Sequence, residues 1–181
     1  MKNGKIVIFQ LPDYQYLYTL SGHKGSVTCI VIDERKIVSG SSDESIIIWD
    51  MLTKTVLQKI TDHKSRIVKL NFDQDILISC SKDCCLLVHK ILDVNNVKLV
   101  KNLAINESKL ADQNLICNAA DINKEYLAVG LNNKIGVWER KENFRLLALI
   151  EAHDGFVTGL LLLNDDIVIS GSNDKTVCFR I

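Results

Sequence analysis

The stretch GHKGSVTCIVIDERKIVSGSSDESIIIWD, from Gly22 to Asp50, returns along the chain in progressively weaker copies. Phe9, Trp49, His89, Trp138 and Arg180 hold the same place in successive units, at intervals of 40, 40, 49 and 42 residues. A repeat of ~40 residues is one supersecondary module, too small to bury its own apolar faces. Neighbouring modules must therefore cover one another.

Each module reads as short strands. Val27 to Ile32, Ile37 to Ser39, Ile46 to Trp49, Ile67 to Phe72, Ile76 to Ser79 and Ile167 to Ile169 are rich in Ile and Val and bounded by Gly, Asp, Asn and Ser. No 3.6-residue periodicity competes with that pattern. Several runs are continuously apolar rather than alternating, which suits sheets covered on both faces.

Gly22-His23 followed by Trp49-Asp50 is the signature by which the chain resembles the WD40 repeats. Later copies decay: Asp62-His63 with His89 in the Trp place, Gln113 with Trp138, and Ala152-His153 with Arg180 in the Trp place. Within that family, VSGSSDESIIIWD and LISCSKDCCLLVHK are most similar to the propellers of F-box substrate receptors of the beta-transducin repeat-containing kind. The resemblance implies an all-β fold of WD40 propeller blades, about four repeats at approximately 10–50, 51–90, 91–139 and 140–181. Residues 1–9 are then the last part of a preceding repeat.

A His, a Ser and an Asp recur at fixed spacing in the better copies, which raises the question of a hydrolytic triad. A triad occurs once per site, beside an oxyanion hole, and a copy in every module fits neither condition. The resemblance implies a structural role instead, a buried hydrogen-bonded tetrad pinning a turn to a strand: His23, Ser39, Asp43 and Trp49, then His63, Ser79 and Asp83, then His153, Ser170 and Asp174. The third copy, with Gln113, Ala128, Asn132 and Trp138, lacks the set and is expected to be the loosest blade. No catalytic residue is expected, and the chain is read as a non-enzyme.

Lys plus Arg balances Asp plus Glu at 22 each, so the basic excess of a nucleic-acid binder is missing. The opening MKNGKIVIFQL has too short an apolar run for a signal peptide, and the six cysteines are read as reduced thiols. Cys29, Cys80, Cys117 and Cys178 fall in predicted strands; Cys80, Cys84 and Cys85 cluster without partners at zinc-ligand spacing. Neither a metal nor another cofactor is expected. Apolar stretches such as Gly159 to Leu163 are far shorter than the ~20 residues that span a bilayer. These features place the chain in the cytoplasm or nucleus, with neither nucleic acid nor membrane as partner.

Aligning Asn3 to Gln10 with Asp43 to Asp50 predicts that the chain opens on the third strand of a blade, with the fourth at Tyr14 to Leu20. Val177 to Arg180 is a third strand at the other end. Two, four, four, four and three strands are thus expected in turn. WD40 propellers usually close with seven blades, so an incomplete, open arc is preferred over a closed four-bladed ring in which Tyr14 to Leu20 pairs with Val177 to Arg180. An open arc leaves edges available for self-association. The nine surplus residues between His89 and Trp138, around Ala104 to Asn114, are read as a surface loop.

What such a module does is implied by the resemblance. F-box receptors of this type hold phosphorylated peptides on the top rim with Arg and Ser side chains. Carried over by position, Lys2 replaces such an Arg, Ser26 and Ser42 match hydroxyl donors, and Lys24 and Lys82 are further rim cations; Asn173 and the Gly155-Phe156 pair depart from the pattern. The function expected is a non-catalytic protein-protein interaction module, a ubiquitin ligase substrate receptor that would reach ligase components through an F-box region outside these residues. A WD40 scaffold subunit of another assembly, or a truncated propeller product without independent function, are the alternatives.

Overall fold

The Ile- and Val-rich runs become seventeen β-strands, with no helix among the described residues, in a computed structural model of the chain. The structure describes residues 4–73, 75–83, 85–93, 96–103, 116–141, 143–163 and 167–180. The insertion expected around Ala104 to Asn114 lies outside them.

The strands form five antiparallel sheets in chain order. The first holds β1 (Lys5–Gln10) and β2 (Gln15–Ser21). The second holds β3 (Val27–Ile32), β4 (Lys36–Ser41), β5 (Ile46–Asp50) and β6 (Val56–Ile60). The third holds β7 (Ile67–Asp73), β8 (Ile76–Ser81), β9 (Leu86–Asp93) and β10 (Asn96–Asn102). The fourth holds β11 (Cys117–Ile122), β12 (Tyr126–Leu131), β13 (Lys134–Glu139) and β14 (Arg145–Glu151). The fifth holds β15 (Val157–Leu163), β16 (Ile167–Ser172) and β17 (Val177–Arg180). Each sequence repeat therefore straddles two sheets, pairing the last strand of one with the first three of the next.

The register shows why the repeat has its length. The first strand of each of the last four sheets carries a bulge at the same place, between Val27 and Cys29, Ile67 and Lys69, Cys117 and Ala119, and Val157 and Gly159. The extra residue tightens the local twist and turns the strand toward its neighbour. Thr28, the first such residue, donates its hydroxyl to the Ile67 carbonyl at 2.6 Å, joining second and third sheets. A second bulge precedes Phe9, Trp49 and Trp138 alike, which places Phe9 of β1 in the Trp position.

Packing between sheets explains the continuous apolar runs. Ile37, Ile47 and Trp49 face backwards onto Ile6 and Leu20 of the first sheet. Their neighbours Val38, Ile46 and Ile48 face forwards onto Ile67, Leu70 and Leu77 of the third. Ile78, Leu86 and Val88 then meet Cys117, Leu127, Val129 and Trp138, while Ala119, Ala128 and Ile135 meet Val157 and Val168. Because the side chains alternate, one strand feeds two cores. Each fully buried Ile or Leu contributes about 1.5–3 kcal/mol relative to exposure.

No such cluster joins the first sheet to the fifth, and no ladder among the described residues joins β2 to β17. The sheets form the open arc rather than the closed ring. Its two end faces expose apolar side chains, including Phe9 at 55%, Val177 at 60% and Phe179 at 67%.

The fourth sheet is held differently from its neighbours. It lacks the pin yet shares the most extensive apolar cluster with the third. Its β12–β13 turn is only two residues, Asn132 and Asn133, so the register aligns Val129, not Ala128, with Ser39. Apolar packing replaces the hydrogen bonds: the Trp138 ring lies against Gly136, where a Cβ would stand 2.5 Å from it. The Asn pair is reused, Asn132 accepting the Val157 N–H at its carbonyl (2.7 Å) and Asn133 donating its side-chain amide to the His153 carbonyl (3.1 Å).

Candidate functional site

The repeated polar residues meet in the second sheet as a chain of hydrogen bonds running one way. Trp49 Nε1–H donates to Ser39 Oγ at 2.8 Å, and Ser39 Oγ lies 2.8 Å from His23 Nε2. His23 Nδ1 faces both oxygens of Asp43 at 3.3 Å. A carboxylate only accepts, so Nδ1 carries the proton and Nε2 accepts from Ser39. Asp43 also accepts the Lys24 N–H at 2.6 Å, the Ser45 N–H at 3.1 Å and the Ser45 hydroxyl at 2.6 Å. Burial pushes the Asp43 carboxyl up, but the donors from Ser45 and Lys24 and the His23 ring outweigh it and hold the carboxyl well below the usual range. Desolvation lowers His23, which is neutral at pH 7.

The fifth sheet repeats this geometry. His153 Nε2 meets Ser170 Oγ at 2.8 Å and its Nδ1 meets Asp174 at 3.0 Å. Thr176 takes the place of Ser45, donating its hydroxyl to Asp174 at 2.6 Å. That hydroxyl is the foremost reason the Asp174 carboxyl sits well below its ordinary value. The residue between Asp and hydroxyl, Glu44 or Lys175, has φ of 70° in both turns, a left-handed conformation the pin holds in place.

The third sheet departs from the expected set. His63 Nε2 meets Ser79 Oγ at 2.7 Å, but His63 Nδ1 is buried with no partner among the described residues. Asp83 accepts instead from the Ser81 hydroxyl and, at 3.4 Å, from the Cys85 N–H. Cys85 stands where Ser45 and Thr176 supply a hydroxyl, so nothing holds the carboxylate toward the imidazole. A different pair forms behind it: His89, in the Trp place, meets Asp62 at 2.9 Å through Nε2. Trp49 overlies Gly22, where a Cβ would lie 2.8 Å from the ring, whereas the smaller His89 leaves room for Asp62 at the matching position. Burial drives the His63 pKa down to about 4, with His89 adding to the effect, and desolvation lowers His89 despite Asp62.

These His, Ser and Asp side chains are spent on holding turns to strands. At the inner edge of the arc Asp121 of β11 accepts from the Asn71 amide of β7 at 2.6 Å and from the Leu162 N–H of β15 at 2.8 Å, tying three sheets together. Among the described residues no cysteine forms a disulfide and no metal-holding group of His, Cys, Asp or Glu occurs; Cys84 lies outside them.

The rim stands above the pins. A backbone bond recurs there in each of the last four sheets: Ser42 N–H to Ser26 O, Lys82 N–H to Arg66 O, Asn132 N–H to Ile116 O and Asn173 N–H to Phe156 O. It brings Ser26 beside Ser42 and Arg66 beside Lys82. The Ser42 hydroxyl accepts the Ser26 N–H at 2.9 Å, which leaves its own proton for a ligand. Lys24, Lys64, Arg66 and Lys82 are exposed and make no salt bridge among the described residues. Arg66 and Lys64 went unassigned in the sequence, although they hold the places of Ser26 and Lys24. Lys2 lies outside the described residues. Over the fifth sheet the rim turns acidic, with Glu151, Asp154 and Asp174 lining a cleft of about 290 Å³.

The family model described as "WD domain, G-beta repeat" matches residues 14–50, 54–90 and 144–179, more than half of the chain. Among curated proteins, the nuclear distribution protein nudF of Aspergillus niger is 29% identical over 188 residues, which takes in 91% of this chain and 41% of that protein. The human F-box/WD repeat-containing protein 10 is 26% identical over 101 residues, 55% of this chain and 10% of that protein. The chain spans less than half the length of these relatives. Among solved structures, the computationally designed Ika8 protein superposes with a TM-score of 0.84 at 27% identity, over 99% of this chain and 53% of the designed one. The computationally designed Ika4 protein gives 0.76 at 28% identity, over 88% and 93%.

Proposed function

The chain belongs to the WD40 repeat family, whose repeats mark a protein–protein interaction module, and we propose that it works in the cytoplasm or nucleus as the substrate-recognition propeller of an F-box type ubiquitin ligase receptor, taking phosphorylated peptides on its rim. The observation that carries this reading is the group of exposed cations with no salt bridge among the described residues, Lys24, Lys64, Arg66 and Lys82, next to the Ser26–Ser42 pair. Arg66 supplies the planar fork that suits a phosphate, and lysines add point charges around it. The likeness to an F-box/WD repeat protein supports the ligase context.

In fluorescence anisotropy at moderate salt, a doubly phosphorylated peptide is expected to bind the 181-residue chain at least tenfold more tightly than its unphosphorylated form. Arg66→Ala is expected to remove about 1.5–3 kcal/mol of that binding, the range of a hydrogen bond to a charged group. Equal affinity for both peptides would refute the reading. A scaffold role in another assembly is the second reading, favoured by the 91% coverage with nudF. Proteins recovered with the chain separate the two: phosphorylated proteins whose capture is lost on phosphatase treatment for the first, subunits held regardless of phosphorylation for the second.

A further inference from the structure

At the end away from the rim, the second and third sheets hold between them a cleft of about 710 Å³. The β3–β4 and β5–β6 turns line it from the second sheet, and β9 with the β7–β8 turn from the third. Leu57 and Ile91 bring the core shared by the two sheets to the cleft. Leu52 and Leu92 line it as well, yet are 88% and 53% exposed. Leu52 is the most exposed large apolar side chain among the described residues, and it occupies a turn, where small polar residues are the rule. That turn is ordered: the Asp50 carboxylate accepts the N–H groups of Leu52 and Thr53, both at 2.7 Å, and the Asp50 carbonyl accepts that of Lys54 at 2.9 Å.

The repeat does not dictate this opening. Met51, Ile91 and Arg140 hold one position in successive sheets, each donating its backbone N–H to the residue just before the second strand, Arg35, Asp75 and Glu125 in turn. Arg140 of the fourth sheet reaches back to pair with Asp73 of the third and donates to the Asn123 carbonyl, which ties those two sheets together. Ile91 takes that position in the third sheet and has no such reach. Asp33, the counterpart of Asp73 in the register, turns to its own hairpin, accepting the Arg35 and Lys36 N–H groups and pairing with Lys36 Nζ at 2.8 Å. The ion pair that spans the next junction is replaced here by an apolar gap.

Charge decides what fits the gap. Glu34, Asp50 and Asp75 line it against Arg35 and Lys36, and Lys36 is engaged by Asp33 while Asp75 meets Lys90 at 3.4 Å. Glu34, Asp50 and Arg35 make no salt bridge among the described residues, so acids outweigh bases around the apolar surface. The rim at the other end of the same sheets is basic. We propose that the cleft docks a protein partner through a short segment whose bulky apolar side chains are flanked by Lys or Arg. The apolar side chains lie against Leu52, Leu57 and Leu92 and displace water, while the flanking cations meet Glu34, Asp50 and Asp75, an apolar centre within a polar surround. Because cleft and rim face opposite ends of the two sheets, a ligand in one leaves the other open.

Selection of a random peptide library, displayed on phage, against the immobilised 181-residue chain tests the proposal. The expected result is enrichment of sequences with bulky apolar residues flanked by Lys or Arg. Made as synthetic peptides and followed by fluorescence anisotropy, these are expected to lose about tenfold or more in affinity for Leu52→Lys and for Glu34→Lys. Both positions are exposed, so circular dichroism is expected to stay unchanged. Arg66→Ala, at the rim, is expected to bind the peptides like the wild type. Enrichment of no sequence, or of sequences without such cations, would overturn the docking cleft. So would an affinity unchanged by Leu52→Lys or by Glu34→Lys, or one lost with Arg66→Ala.

Discussion

Asp43→Ala is expected to lower the unfolding free energy by about 1.5–3 kcal/mol, the range for losing hydrogen bonds to a charged acceptor. The carboxylate is the acceptor for the His23 ring, the Ser45 hydroxyl and two backbone N–H groups at once, and its side chain is only 11% exposed. Alanine leaves all of these donors without their acceptor inside the blade. Asp83→Ala is expected to cost about 1 kcal/mol, the net value of an ordinary hydrogen bond, because Asp83 is exposed and does not reach His63. Urea denaturation at pH 7 with unchanged m-values measures both. Equal losses would show that the pin in the second sheet is no stronger than the broken one in the third.

Mild acid is expected to remove about 3 kcal/mol of stability between pH 6.5 and pH 4, the share of His63 alone. Its pKa is about 4 in the folded chain against 6.5 unfolded, so the unfolded chain binds more protons throughout that window. Stability is therefore full above pH 6.5 and falls with pH until His63 protonates in the folded state near pH 4. His89 and His23, also lowered by burial, act in the same direction. Burial is the main cause of the His63 shift, and the Nδ1 atoms of His63 and His89 have no partner among the described residues to offset it. His63→Gln, which cannot titrate, is expected to flatten the pH dependence of the denaturation midpoint by this amount. A wild-type slope unchanged by the substitution would place the sensitivity elsewhere.

Strand layout was legible because each Ile- and Val-rich run ends at a turn signal, and the bulges fall wherever the repeat sets them. The pins of the second and fifth sheets were legible through the spacing of His, Ser and Asp. The hydroxyls of Ser45 and Thr176 were in view too, two residues after each Asp, and Cys85 at that spacing was the sign that Asp83 would turn away. The slip from Val129 to Ala128 came from the short Asn132–Asn133 turn, which makes the hairpin one residue shorter and shifts any count made from its far side. Arg66 and Lys64 escaped because the rim was read from a family pattern rather than from the places of Ser26 and Lys24. The coupling of Asp62 to His89 joins residues 27 apart across one blade.

The central claim is that the recurring His, Ser and Asp residues act as directional pins rather than as chemistry. Nitrogen-15 NMR of the histidine side chains at pH 7 tests it most directly. Trp49 donates to Ser39, so the network requires His23 to be neutral, protonated on Nδ1 toward Asp43, with an unprotonated Nε2 accepting from Ser39. Signals for that tautomer at His23 are the expected result. An imidazolium, or a proton on Nε2, at that residue would contradict the account.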